Sequence, residues 1–401
     1  MFTVQTLRNS QWFLVFLGGL VALTPLSIDA YLPAMPDMAG HFATDITAVN
    51  LTLTLYVLGS AAGQFLGGAL SDHLGRRPLG LLGLLVFVLA SLLITLATSI
   101  QQVWLLRVLQ ALGGGAASVI CMAQVRDTFS AEEVPVKIAN IILIMLLAPM
   151  LAPLIGAVLL QLGWESIFLF LALYAGFFLL IYFFGIPETR AEHGGQPRKL
   201  SWRSLGAGYL AVLRQRRNGR RIALRLILFS VCTSGIFMSY LTNAAFIYMQ
   251  YFGLNEFEFS ALFAAGTLAM MAGNRAAVRL LKRLPPARVL SLVNGLHIAA
   301  LTLGLACVLL LDSPWVSMAS LFLIVGISGA VSPTASGFYM SLFMENSGTA
   351  ASLKTTLMFS FGSLIGASAA LLSAGELLPI FAVMLAAGCL GRLVLPKPHT
   401  L

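Results

Sequence analysis

Apolar residues run in long unbroken stretches along the whole chain, and polar residues are confined to short intervals between them. An apolar run of about 18–25 residues is long enough to cross a bilayer as a helix. Twelve such spans are predicted, at 12–32, 47–70, 79–98, 101–125, 138–161, 167–186, 222–250, 259–281, 288–311, 314–340, 348–372 and 376–395. The runs are continuous rather than alternating, which argues against a β-barrel. The longest polar interval, 187–221, falls between the sixth and seventh spans. The expected organisation is therefore a six-helix N-terminal lobe over 1–186, a linker over 187–221 and a six-helix C-terminal lobe over 222–401.

Composition fits a lipid solvent. Of the 401 residues, 59% are hydrophobic and 10% charged, against about 25% charged in a soluble domain. Mean hydropathy is +0.91. The net charge of +9 would raise the question of nucleic acid in a soluble chain, but its placement gives another answer. With the N-terminus inside, every one of the 24 Lys and Arg residues except Arg107 lies in an inner segment or at an inner helix end. The outer side carries Asp37, Asp45, Glu165, Glu256, Glu258, Asp312 and Glu376 instead. This is the positive-inside pattern, and it puts both termini in the cytoplasm. A missed span would reverse the side of every later loop, so the charge bias also supports the count.

The linker holds nine Lys/Arg and two Glu. Trp202, Leu205, Tyr209 and Leu213 recur at near-helical spacing, which fits either a short amphipathic helix on the inner membrane face or a solvated basic linker. Neither implies nucleic acid. Cys121, Cys232, Cys307 and Cys389 all fall in apolar runs without metal-ligand spacing, so no disulfide, metal or cofactor is expected. Of the five His residues only His297 lies in a span, and no metalloprotease, hydrolase or nucleotide-binding pattern occurs. An enzyme is not expected.

Two ionisable groups lie well inside spans, Asp29 in the first and Arg107 in the fourth. Each costs roughly 2.5–3.5 kcal/mol at mid-bilayer, so each needs a partner or a wet cavity. Asp29 sits between Pro25 and Pro33 and reads either as a proton-exchanging site or as a cap at the wet outer end of its helix. Arg107 shares one helix face with Gln110, Gly114 and Ser118. It reads as a fixed charge lining a polar cavity, as an arginine bonded to helix carbonyls, or as both.

The loop between the second and third spans reads Gly68-Ala69-Leu70-Ser71-Asp72-His73-Leu74-Gly75-Arg76-Arg77. This G-x-L-x-D-x-x-G-R-R pattern resembles the corresponding loop of the major facilitator superfamily. Arg107 to Gly113 resembles that superfamily's R-x-x-Q-G-x-G motif, with Ala111 in place of the usual Gly. Ala148-Pro149-Met150-Leu151-Ala152-Pro153-Leu154-Ile155-Gly156 resembles the Gly/Pro-rich fifth helix of its antiporters, with Ala148 where Gly is usual. Asp29-Ala30-Tyr31-Leu32-Pro33-Ala34-Met35-Pro36 is similar to the end of the first helix in the Bcr/CflA group of drug:proton antiporters, and Arg126-Asp127, Gly163-Trp164 and Pro187-Glu188-Thr189 recur there too.

The resemblance implies an all-α membrane fold of two six-helix lobes around a central cavity, in the bacterial inner membrane, acting as a monomer. It implies a proton-coupled antiporter exporting small amphipathic compounds such as antibiotics by alternating access. A transporter dedicated to one metabolite, such as a siderophore or amino-acid derivative, is the alternative. Proton coupling would rest on Asp29 and Arg107. A cytoplasmic gate would comprise Gly68, Asp72, Gly75, Arg76, Arg77 and Asp127, with Asp72 capping the eleventh span near Gly348 and Thr349 and Arg76 paired to Asp127. Pro149, Pro153 and Gly156 would form the antiporter helix. The substrate cavity is expected to include Tyr31, Tyr56, Gln110, Met145, Phe237, Tyr240, Asn243, Phe338, Met358 and Phe361, because aromatics and methionines suit a loosely fitting apolar guest. Lys354, near the inner end of its span, reads either as a snorkelling lysine or as a cavity residue.

Overall fold

The computed structural model describes residues 11–130, 133–145, 147–189, 209–214, 221–310, 314–343 and 347–395. Every regular element among them is helical. The first half contains α1 (Gln11–Asp29), a 3-10 turn (Leu32–Ala34), α2 (Met35–His41), α3 (Ile46–Leu74), α4 (Arg76–Ile94), α5 (Ile100–Thr128), α6 (Val134–Met145), α7 (Ala148–Leu160) and α8 (Glu165–Gly185). The second contains α9 (Ile222–Ala245) running into a π-helical turn (Phe246–Tyr251), then α10 (Glu256–Leu281), α11 (Pro286–Leu310), α12 (Pro314–Met340), α13 (Ser347–Ser373) and α14 (Leu377–Val394).

Ten of the helical spans are long and apolar enough to cross a bilayer, the first being α1 with its continuation, Trp12–His41. The fifth span and α10 complete twelve. α10 carries Glu256 and Glu258 at one end and Arg275 and Arg279 towards the other, which lowers its mean hydropathy. The fifth span is split into α6 and α7. Proline supplies the reason: its ring collides with the carbonyl four residues back, and for Pro149 that residue is Met145, where α6 ends.

Helix ends follow local chemistry. The Asn255 side chain accepts from the Phe257 and Glu258 amides at 3.0 and 2.9 Å, and Glu258 accepts from the Asn255 amide at 2.9 Å, so α10 begins with a capping box. Ser130 and Glu133 pair in a related way ahead of α6. Gly75 alone joins α3 to α4, at φ +96°, a conformation that side-chain-bearing residues rarely adopt.

The chain divides into two compact units, Met1–Leu200 and Ser201–Leu401. In the first, α3 packs along α5, α4 lies against α5 and α8, and α1 against α6. In the second, α10 packs along α12, α11 against α12 and α14, and α9 against α13. Counted by span, these are the same pairings, so each unit builds one six-helix plan. Lipid gives apolar helices little reason to prefer one another, and close backbone approach supplies the selectivity. On α3, Gly59, Gly63 and Gly67 are spaced four apart and face the α5 backbone at Val108, Leu112 and Ala116.

Of the expected linker, 187–189, 209–214 and 221 are described, and 209–214 is helical. Its Val212 is buried in the core of the second unit with Ile222, Leu226 and Leu395. Trp202 and Leu205 lie outside the described residues.

Candidate functional site

Asp29 is the last residue of α1 and is 5% exposed. It stands 17 residues after Trp12 and 12 before His41, so at 1.5 Å per residue it lies about 26 Å from one end of that span and at most about 18 Å from the other. Its side chain is buried within the first unit. Pro25 removes one amide from the helix ladder before it, and the 3-10 turn at Leu32–Ala34 breaks the ladder after it.

Gly156 of α7 packs directly on this break. A Cβ there would fall on the Ala30 carbonyl oxygen, with the Ala30 carbonyl carbon at 2.8 Å and Pro33 Cγ at 3.2 Å. The first-helix motif and the proline-rich helix motif, which are more than 100 residues apart in sequence, are therefore one contact. Within α7, Pro149 sits in the first turn and Pro153 is buried inside the helix. Met145 ends α6, half-buried, at the break before α7.

Arg107 is wholly buried in α5. Its guanidinium donates to Gln110 Oε1 at 2.7 Å and to the Ser27 carbonyl at 3.0 Å. It lies 4.3 Å from the ring centroids of both Tyr31 and Tyr56. Guanidinium on an aromatic face is favourable, more so without water, and two rings clamp it. Gln110 Nε2 donates in turn to Ser91 Oγ at 2.7 Å, and the Tyr31 hydroxyl pairs with Thr52 Oγ1 at 3.0 Å. Arg107 Nε and the Tyr56 hydroxyl have no partner, and no carboxylate lies within 4.0 Å of the guanidinium among the described residues. Tyr31 is within electrostatic reach of both Asp29 and Arg107. Arg107 thus touches the chain on either side of Asp29, at the Ser27 carbonyl and at the Tyr31 ring.

A second cluster surrounds the α3–α4 junction. Arg76 Nε donates to Asp127 Oδ2 at 3.0 Å, with both side chains less than one-fifth exposed. Arg76 also reaches Ser71 Oγ, whose own hydroxyl donates to the Gly68 carbonyl at 3.0 Å. Glu188 accepts the Arg76 and Arg77 backbone amides, each at 2.9 Å, placing an anion on the N-terminus of α4. Arg77 donates to the Phe183 carbonyl at 2.7 Å. Tyr182 links the Arg76 carbonyl to Gln124. The side chain of Asp72 lies outside the described residues. Sequence reasoning missed Ser71, Gln124, Tyr182 and Glu188; the recurring Pro187-Glu188-Thr189 stretch was the one available signal for the last.

The second unit holds a cavity of about 150 Å³ between α9, α10, α12 and α13. Phe237 and Met358 line it, together with Met238, Phe359, Thr233 and Lys354. Lys354 does not snorkel. It is 5% exposed, and its ammonium donates to Ser336 Oγ at 2.7 Å. Tyr240 and Asn243 are buried elsewhere in the same unit. Tyr240 stacks on Phe263 at 6.3 Å, and Asn243 donates to the Ser239 carbonyl. Phe338 packs against the core around Tyr339 and Phe343 rather than lining the cavity. Phe361, about a turn beyond Met358, is 51% exposed and outside the lining.

The sequence profile of the Major Facilitator Superfamily matches residues 15–367. The chain belongs to the major facilitator superfamily. This transporter is 26% identical over 374 residues to a bicyclomycin resistance protein homolog of Haemophilus influenzae, covering 93% of this chain and 92% of that one. It is 32% identical over 343 residues to a chloramphenicol resistance protein of Pseudomonas aeruginosa, covering 82% and 78%. It is 33% identical over 266 residues to the multidrug transporter MdfA of Shigella boydii, covering 65% and 62%. Among solved structures, the transporter is similar to a peptide transporter POT, at TM-score 0.76 and 16% identity over 98% of each chain. It is also similar to a D-xylose-proton symporter, at TM-score 0.72 and 14% identity over 96% of each. These likenesses establish the fold of a multi-pass membrane transporter, and the chain is not an enzyme.

Proposed function

We propose that this transporter exports small amphipathic compounds, antibiotics among them, in exchange for protons. It works by alternating access in the bacterial inner membrane, as a monomer with both termini in the cytoplasm. The observation that carries the reading is the seat of Asp29: a carboxyl buried at a helix break, with α7 packed on the break and Arg107 held against Ser27 and Tyr31 on either side of it. The drug-resistance relatives supply the class of cargo.

The chemistry follows from the cost of charge. An ionised carboxylate in a dry site is unfavourable, and a fixed cation offsets that cost only in part. Asp29 takes a proton when its site faces the outside and releases it when water from the cytoplasm reaches it. Arg107 stays in place throughout, since its fork is held by Gln110, Ser27 and two rings. Cargo loads from the cytoplasmic side as the proton leaves. One proton crossing 100 mV releases about 2.3 kcal/mol, and one pH unit adds about 1.4 kcal/mol. Together they support more than two orders of magnitude of uphill export of an uncharged compound at one proton per cycle.

The α3–α4 cluster acts as the cytoplasmic gate. Arg76, Asp127 and Glu188 brace the α3–α4 junction, next to Asp72 in the last turn of α3, and Asp72 then seals the inner side when the site faces outward. Susceptibility of cells to bicyclomycin and chloramphenicol tests the reading. Wild type raises resistance, and Asp29→Asn at equal membrane abundance does not. Full resistance in the Asp29→Asn cells removes Asp29 as the proton carrier.

A further inference from the structure

Both units bury one cation, but the two are held differently. Arg107 is closed in by an amide, a carbonyl and two aromatic rings. Lys354 instead borders open volume. An ammonium carries three N–H donors. One is used by Ser336 Oγ at 2.7 Å, and among the described residues no other acceptor is within hydrogen-bond distance and no carboxylate within 4.0 Å. A buried charge left in this state is costly unless something else completes its shell.

The rest of the cavity says what that something is. Three thioethers, Met238, Met270 and Met358, and two rings, Phe237 and Phe359, form an adaptable apolar wall, while Thr233 and three serines add hydroxyls. An apolar pocket with a few convergent polar groups binds an apolar body and orients its polar end. Here the polar group is a cation.

We propose that this cavity is an anion-selecting cargo subsite, in which Lys354 holds the carboxylate, phenolate or sulfonate head group of an aromatic compound and the methionine–phenylalanine wall holds its body. The inference deepens the exporter reading and rests on it for the ligand being cargo. It also gives the two units separate tasks, a proton on Asp29 in the first and the cargo head group on Lys354 in the second.

The test uses the full-length protein in nanodiscs at pH 7.5 and a matched pair of probes, 1-naphthoate and 1-naphthamide, with binding followed by titration calorimetry. Empty nanodiscs correct for partition into lipid. Wild type is expected to bind naphthoate at least tenfold more tightly than naphthamide. Lys354→Arg keeps that preference, and Lys354→Met brings the two affinities within twofold of each other. Lys354→Gln, which still donates to Ser336, gives the same loss and stands in if the Met variant is not folded. The preference is read at equilibrium without a proton gradient, so failure of proton coupling leaves it in place and the two failures are told apart. No preference in wild type overturns the inference, as does a tenfold preference that survives both neutral substitutions.

Discussion

The contact between Gly156 and the Asp29–Pro33 turn gives a sharp steric prediction. Replacing Gly156 by Ala adds one methyl group, and that methyl lands on the Ala30 carbonyl with Pro33 Cγ 3.2 Å away. The obstacle is backbone, so no side-chain rotation relieves it. Helix α7 and the turn must part by roughly 1 Å or more before ordinary van der Waals contact returns. Overpacking of this kind costs about 1–3 kcal/mol. At about 2–4 °C per kcal/mol for a unit of this size, the purified protein should unfold roughly 2–12 °C lower. Gly176 is the control: it also lies in a helix of the first unit, and a Cβ there meets nothing within 4 Å. Gly176→Ala should be neutral or raise stability by about 0.5–1 kcal/mol, since Ala loses less conformational freedom than Gly. Because the displaced turn begins at Asp29, export by Gly156→Ala should also fall more than stability alone explains. Thermal unfolding in detergent and efflux in cells at matched abundance measure both. Equal unfolding temperatures and equal efflux for the two alanine variants would refute the contact and the argument built on it.

Arg107→Lys keeps the charge but loses the fork that spans Gln110 Oε1 and the Ser27 carbonyl, so export should drop at least tenfold with a stability loss of about 1–3 kcal/mol; unchanged efflux counts against a fixed-fork role. Glu188→Gln weakens the anionic cap on the Arg76 and Arg77 amides and should cost about 0.5–2 kcal/mol in thermal unfolding, less in high salt. A double-mutant cycle on Arg76→Gln and Asp127→Asn should give a coupling of about 1 kcal/mol, and additivity in unfolding free energy would show the pair to be idle. Asp72→Asn should reduce transport at normal membrane abundance, and wild-type transport rates in that variant would remove its gating role.

Much of the fold was legible because lipid imposes simple rules. Span length, the one-sided Lys/Arg bias and the Gly75 hinge are all local or one-dimensional signals, and the split of the fifth span could be read from Pro149 alone. Facing directions were less legible. Phe237 and Phe338 look alike in sequence, yet one lines the cavity and the other packs in the core around Tyr339. The reason is that an apolar membrane helix is hydrophobic all round, so periodicity does not say which face meets which neighbour. The choice between the two readings of Lys354 was closed to sequence for a related reason. A lysine near a helix end usually reaches for the interface, and only the cavity between four helices shows that this one points inward. Glu188 reaches the start of α4 across 112 residues, a pairing with no local trace. Equally invisible in one dimension was the seating of Gly156 on Ala30, although each half of that contact had been singled out by its own motif.

Proton movement itself is the most direct measure of the central claim. Purified protein is reconstituted into liposomes containing a pH-sensitive dye and loaded with chloramphenicol, with an inward proton gradient imposed. Wild type should acidify the lumen faster when the drug is present than when it is absent, and Asp29→Asn should show no drug-dependent component. Drug-dependent acidification that persists undiminished in Asp29→Asn, in protein of wild-type stability, would contradict the account.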